Sequence, residues 1–138
     1  MLNHIKLRTS ALAGLFAATT LFSHADEVIT QNGSRINGTI TGIENGILTI
    51  ETEFAGILKI AQSEVASFST EAPIHVAFED GNRLVGTVSG SNGAVTVSTP
   101  NGNFASTVTA VDASWAEGTP SPEERALEAA LPKWKYEV

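Results

Sequence analysis

The stretches NGSRINGTI (residues 32–40) and DGNRLVGTV (residues 80–88) repeat one phrase at a spacing of 48 positions in a chain of only 138 residues. Gly33, Arg35, Gly38, Thr39 and Gly42 align with Gly81, Arg83, Gly86, Thr87 and Gly90, and Ile36 and Ile40 align with Leu84 and Val88. One deletion later the spacing becomes 47, where Asn45-Gly46 meets Asn92-Gly93 and Leu48 and Ile50 meet Val95 and Val97. Self-similarity of this kind marks a duplicated supersecondary unit.

Within each copy the apolar period is 2. Ile36, Gly38, Ile40 and Gly42 alternate with Arg35, Asn37, Thr39 and Thr41, and beyond the turn Leu48 and Ile50 alternate with Thr49 and Glu51. A period of 2 is that of half-buried strands. An Asn-Gly pair accepts the positive φ angles of a two-residue hairpin, so Gly46 and Gly93 are placed in tight turns. Gly33 and Gly81 belong to further turns, and Pro100-Asn101-Gly102 to another. In the first copy these signals predict strands over 27–30, 35–43, 47–53, 56–60 and 66–69, with a single helical turn over 62–65. The second copy follows over 74–115, its fourth strand at 104–109.

The expected fold class is all-β: two tandem five-stranded barrels of SH3-like or Sm-like type, followed by a short helix and preceded by a signal peptide. Gly38 and Gly42, and Gly86 and Gly90, are the expected bend points of the long second strands. A barrel of about 45 residues buries a small share of its surface and is marginal alone, so the two copies are expected to pack together through part of their apolar surface.

The expected organisation is a signal peptide over 1–25, a first repeat over 26–70, a second over 73–115, a linker and helix over 116–132, and a strand over 133–138. Lys6 and Arg8 give a basic start, ALAGLFAATTLF (residues 11–22) is apolar, and Ser23-His24-Ala25 reads as a cleavage site before Asp26. Twelve apolar residues fall short of the roughly 20 that a spanning helix requires. In the helix, Ser121 is the N-cap, Pro122 the first helical residue and Glu124 the partner that completes a capping box. Ala126, Leu127, Ala130 and Leu131 form its apolar side, and Pro132 stops it.

Composition excludes several classes of function. The chain has no cysteine, which removes disulfides, thiolate metal sites and cysteine nucleophiles. Without Lys6 and Arg8, six basic residues face fifteen acidic ones, a net charge of −9, and such a field repels phosphate backbones. No nucleic-acid partner, cofactor or metal is expected. Once the leader is set aside, His75 is the one remaining histidine, and no Ser or Asp arrangement gives it a partner role in catalysis. No catalytic residue is assigned, so the expectation is a protein that is not an enzyme. Glu79-Asp80-Gly81-Asn82 lacks the alternating oxygen ligands of a calcium loop and reads as a turn.

Arg35 and Arg83 are the candidate ligand-binding residues, because each recurs at an equivalent outward position. They either fix a carboxylate or glycan anion by paired hydrogen bonds or serve as solvated strand-face charges. Phe68 and Trp115 fall at matching ends of the copies and read as core plugs.

The tail LPKWKYEV (residues 131–138) alternates Trp134, Tyr136 and Val138 with charged residues, as an opening strand does. With the leader and the phrase LTIETEFAGILKIAQSEVASFST (residues 48–70), the chain resembles the front end of exported proteins in the domain-of-unknown-function family 481, described as salt-induced outer-membrane proteins. That resemblance implies a periplasmic spacer or interaction region in front of an outer-membrane barrel, the chain being a fragment that lacks the barrel. The implied partners are a cell-envelope protein or glycan, with the outer membrane reached only through the missing barrel. A free secreted domain that binds a glycan or cell-wall peptide is the other reading.

Overall fold

The computed structural model describes residues 25–131; the expected signal peptide and the strand over 133–138 lie outside them. The described chain is mostly β, with one short helix at its end. Repeat one supplies β1 (Asp26–Thr30), β2 (Arg35–Glu44), β3 (Ile47–Thr52), β4 (Gly56–Ala61) and β5 (Val65–Ser69). Repeat two supplies β6 (Ile74–Phe78), β7 (Arg83–Ser91), β8 (Ala94–Thr99), β9 (Gly102–Thr107) and β10 (Val111–Ala116), and α1 (Pro122–Ala130) follows. One 3-10 turn precedes β5 (Gln62–Glu64) and another precedes β10 (Val108–Ala110). The fourth strand of repeat two therefore begins two residues before the expected 104. It ends at Thr107, because the next three residues form the turn that its counterpart in repeat one also forms.

The hairpins close as the Asn-Gly pairs require. Asn45 and Asn92 have φ of 52° and 49°, and Gly46 and Gly93 have 74° and 81°, the left-handed pair of a type I′ turn. The deletion between the repeats is visible as geometry. The β2–β3 ladder slips between Ile40 and Gly42, whereas β7 pairs with β8 in unbroken register. The extra residue of repeat one is thus accommodated as a β-bulge, with two residues opposing one on the partner strand.

A second deletion is legible only in the structure. Three residues join β3 to β4 but only two join β8 to β9, so the spacing falls from 47 to 46. Val65 then matches Val111, and Phe68 matches Ser114. The expected match of Phe68 with Trp115 is corrected by this one-residue step. In a strand such a step moves a side chain to the opposite face.

Each repeat orders its strands fifth-first-second-third-fourth, and all ladders are antiparallel. The two sets are joined where β10 pairs with β2 through Ser114–Ile43 and Trp115–Gly42. The path β4-β3-β2-β10-β6-β7-β8-β9 is open at both ends, so the hydrogen-bonded sheet does not close, where two tandem five-stranded barrels were expected. The physical reason is how the last strands are used. The edge of β10 not paired with β6 lies on β2, and β5 lies against β7 instead of returning to β4. Thr70 N–H donates to Val88 O at 2.9 Å, and Gly90 N–H donates to Ser69 Oγ at 3.1 Å.

Glycine makes this exchange of last strands possible. A Cβ on Gly42 would lie 2.5 Å from Ser114 O, and one on Gly90 would lie 2.4 Å from Phe68 O. Gly42 and Gly90 align at the spacing of 48 and Ser114 matches Phe68; although the bulge sets Ile43 at the ladder position of Gly90, each glycine receives the last strand of the other repeat. Gly38 and Gly86 serve within each repeat, where a Cβ would lie 2.2 Å from Glu51 O or Ser98 O. These are also the residues at which β2 and β7 pass from their first-strand partner to their hairpin partner.

One core results. Val28, Ile40, Leu48 and Ile50 of repeat one and their counterparts Val76, Val88, Val95 and Val97 are buried in a single cluster that also contains Phe68. Each such side chain contributes roughly 1.5 to 3 kcal/mol by leaving water. Gln62, in the 3-10 turn of repeat one, crosses to the turn of repeat two. Its Nε2 donates to Val108 O and Val111 O at 2.6 and 2.7 Å, a side-chain link between the repeats beside the Val111 N–H that also donates to Val108 O.

The helix forms as its cap residues dictate. Ser121 Oγ accepts from Glu124 N–H, and the Glu124 carboxylate accepts from Ser121 N–H at 2.7 Å. The expected apolar side of Ala126, Leu127, Ala130 and Leu131 nevertheless stays exposed, Leu127 at 66%. Two alanines and two leucines offer little area to bury, and α1 is held through its charged residues instead.

Candidate functional site

The expected ligand-binding arginines begin equivalent strands, Arg35 on β2 and Arg83 on β7, but their surroundings differ. Arg35 Nη1 lies 3.5 Å from Glu27 Oε2 across the β1–β2 ladder. At the spacing of 48, the counterpart of Glu27 is His75. Repeat two therefore lacks the in-sheet acid that pairs with Arg35.

An aromatic floor takes its place. His75 on β6 is paired with Trp115 on β10, and their rings stack with centroids 5.1 Å apart and planes 6° from parallel. The Arg83 guanidinium carbon is 5.9 Å from the centre of the Trp115 ring, within the range of cation–π attraction. Trp115 was expected as a core plug. It is buried, 9% exposed, yet it lies on the face of β10 opposite Ser114, under the lead-in to α1 and outside the common core cluster. Its counterpart in repeat one is Ser69, so the floor exists in one repeat only.

The counter-charge to Arg83 comes from the helix. Arg83 Nη2 is 2.6 Å from Glu123 Oε1. Hydrogen bonding and charge pairing with Arg83 hold the Glu123 carboxyl below the usual carboxylate range, and the same hydrogen bond raises the guanidinium. Two residues on, Arg125 Nη2 is 2.9 Å from Glu44 Oε2. Glu123 thus ties α1 to β7 of repeat two, and Arg125 ties it to β2 of repeat one.

Two grooves share Arg83, Trp115, Ser121 and Glu123 as walls. One, of about 300 Å³, continues over Ala77 and Asp112 toward Glu44; the other, of about 530 Å³, continues over His75 and Val85 along Gly118 and Thr119. The face offers a fork of charged donors above a flat aromatic surface, which suits a planar carboxylate.

The Glu79–Asn82 segment is a turn closed on itself. Asp80 accepts from Asn82 N–H at 2.9 Å and from Asn82 Nδ2 at 2.7 Å. Among the described residues, no group of three histidine, aspartate or glutamate side chains is placed to hold a metal ion. Among them also, no helix is long and apolar enough to cross a membrane. Gly33 and Gly81, with φ of 85° and 87°, lie in the turns before β2 and β7.

Sequence reasoning found Arg83 and missed its partners. The signal for His75 was present, since aligning the repeats at 48 sets it opposite Glu27. The signal for Trp115 was hidden by the second deletion. Comparison of the chain with protein-family models, curated proteins and solved structures found no match.

Proposed function

We propose that the chain is a non-enzymatic, exported β-module in which two SH3-like repeats are fused into one stiff body. It serves as a periplasmic spacer or interaction region in front of an outer-membrane β-barrel of the kind found in the domain-of-unknown-function family 481. The observation that carries this reading is the reciprocal exchange of last strands over Gly42 and Gly90, which turns a duplication into a unit with one core. A spacer benefits from such stiffness. The position of β1 also supports export: it begins at Asp26, the residue that follows the expected cleavage site. Its carboxylate accepts from Ile40 N–H at 2.8 Å and from Glu71 N–H at 3.0 Å.

Cell fractionation with N-terminal sequencing tests the export step. The expected outcome is an envelope protein whose first residue is Asp26, and a cytoplasmic protein that retains Met1 would overturn it. Reading the coding sequence past Val138 tests the barrel. Further amphipathic segments of about ten residues are expected, and an immediate stop codon counts against them.

A second reading, a free secreted domain that binds a glycan or cell-wall peptide through Arg35 and Arg83, is favoured by the position of Arg83 over Trp115. A cell-wall pull-down comparing the native protein with Arg35→Ala and Arg83→Ala tests it; retention that neither substitution changes removes it.

A further inference from the structure

The two repeats act as controls for each other at Arg83. In repeat one the arginine has an acid on the neighbouring strand and, at the Ser69 position, no aromatic ring. In repeat two that acid is His75 and the serine is Trp115. Together the two exchanges remove a permanent counter-ion from Arg83 and place a ring under it. The vacancy is filled by Glu123, from a helix that enters over the buried Ser121 and half-buried Pro122. Every residue of α1 after Pro122 is exposed, and its ties to the sheet are two ion pairs at the surface, a class of contact that holds weakly.

Building on the second reading above, we propose that the Arg83–Trp115–His75 face is a binding site for a carboxylate of an acidic peptide, and that α1 is its internal occupant, displaced when the ligand binds. Glu123 shows what the site accepts: a side-chain carboxylate carried on peptide backbone, set against the guanidinium at 2.6 Å. Replacement is one for one. Glu123 is the carboxylate seated on the guanidinium, so an incoming carboxylate takes its place there. Tethering to β10 through the short segment over 117–121 keeps Glu123 at a high effective concentration near the site, which lowers the apparent affinity for any competitor. Gly118, at φ 82°, sits in this tether. Lifting α1 would uncover the face of Trp115 and join the two grooves that now end on either side of Glu123.

The test uses the native chain with Trp134→Phe, so that Trp115 is the single tryptophan fluorophore. The probe is a blocked peptide of this chain's own residues 119–131. It is titrated into this protein and into versions carrying, in addition, Glu123→Gln, Arg83→Ala or Arg35→Ala, each first checked for native circular dichroism. Saturable binding to the Glu123→Gln protein at least tenfold tighter than to its parent, lost with Arg83→Ala and unchanged with Arg35→Ala, is the expected result. Equal binding to Glu123→Gln and its parent would overturn the role of α1. Binding that survives Arg83→Ala, or no binding by any version, would overturn the site. A parallel pull-down on cell-wall material separates this proposal from the reading beneath it: retention that needs Arg83 but ignores Glu123→Gln keeps that reading and rejects α1 as occupant. Absence of both retention and peptide binding rejects both.

Discussion

Repeat one and repeat two share a strand order, a turn chemistry and five pairs of buried aliphatic positions, yet they differ at the two places where one touches the other and where the helix docks. Phe68 of repeat one fills the core, whereas its counterpart Ser114 is a buried serine whose Oγ accepts from Ile43 N–H at 3.0 Å. Ser69 of repeat one accepts a backbone hydrogen bond from repeat two, whereas its counterpart Trp115 floors an arginine. The shared positions build the fold. The unshared ones decide how the copies dock and which arginine has a cleft around it. A duplication retains what each unit needs for its own packing and diverges where the new surfaces meet.

The comparison breaks most completely if the repeats fold alone. Residues 26–72 and 73–131 expressed separately are expected to lack cooperative melting, because each half would expose its share of the common core; two halves each as stable as the whole would refute the shared core. Next in size are the counterparts in β5 and β10. Phe68→Ala is expected to cost about 3 to 5 kcal/mol through the cavity it leaves, and Ser114→Ala about 1 to 3 kcal/mol through the donor left unpaired at Ile43. Urea denaturation measures both, and equal costs would show that the two positions do the same work.

Gly42→Ala and Gly90→Ala sharpen the reciprocity. Each forces a methyl group against a carbonyl of the other repeat, at an expected cost of about 1 to 3 kcal/mol, in one transition that includes both repeats. A variant in which only one repeat melts early would separate them. Gly46→Ala and Gly93→Ala meet open space and are expected to cost about 1 kcal/mol each, from the left-handed backbone alone.

The smallest effect is a pH dependence at α1. The Glu123 carboxyl titrates below its ordinary range in the fold, so its hold on Arg83 is present above that ordinary range and is lost as pH falls through the depressed value. In the Trp134→Phe background, Trp115 emission is expected to shift toward that of an exposed ring as the pH falls through this window, before the sheet unfolds. In the same background Glu123→Gln should show the shifted emission already at neutral pH and lose this step; an unchanged titration would detach Glu123 from the ring.

Much of this was legible in the chain itself. Alternation of apolar residues gave the strands of repeat one to within a residue or two, since a half-buried strand must alternate wherever it lies. Asn45-Gly46 and Asn92-Gly93 gave the hairpins, because few other pairs accept two positive φ angles. Ser121, Pro122 and Glu124 gave the start of α1, because a cap is satisfied within one turn of chain. Each of these follows from residues within a few positions of one another, where covalent geometry leaves few choices.

Other features needed the folded molecule. The open path of the sheet, the exchange of β5 and β10 between repeats, and the meeting of His75, Trp115, Arg83 and Glu123 join segments 8 to 73 residues apart. A glycine at 42 or 90 shows that something comes close, but not what, since the space beside a missing side chain is filled by whichever distant strand packs there. Trp115 shows the limit most clearly: one residue removed from a turn more than ten positions upstream set which face of β10 carries the ring. Local sequence fixes conformation, whereas register and contact depend on how the whole chain distributes its buried area.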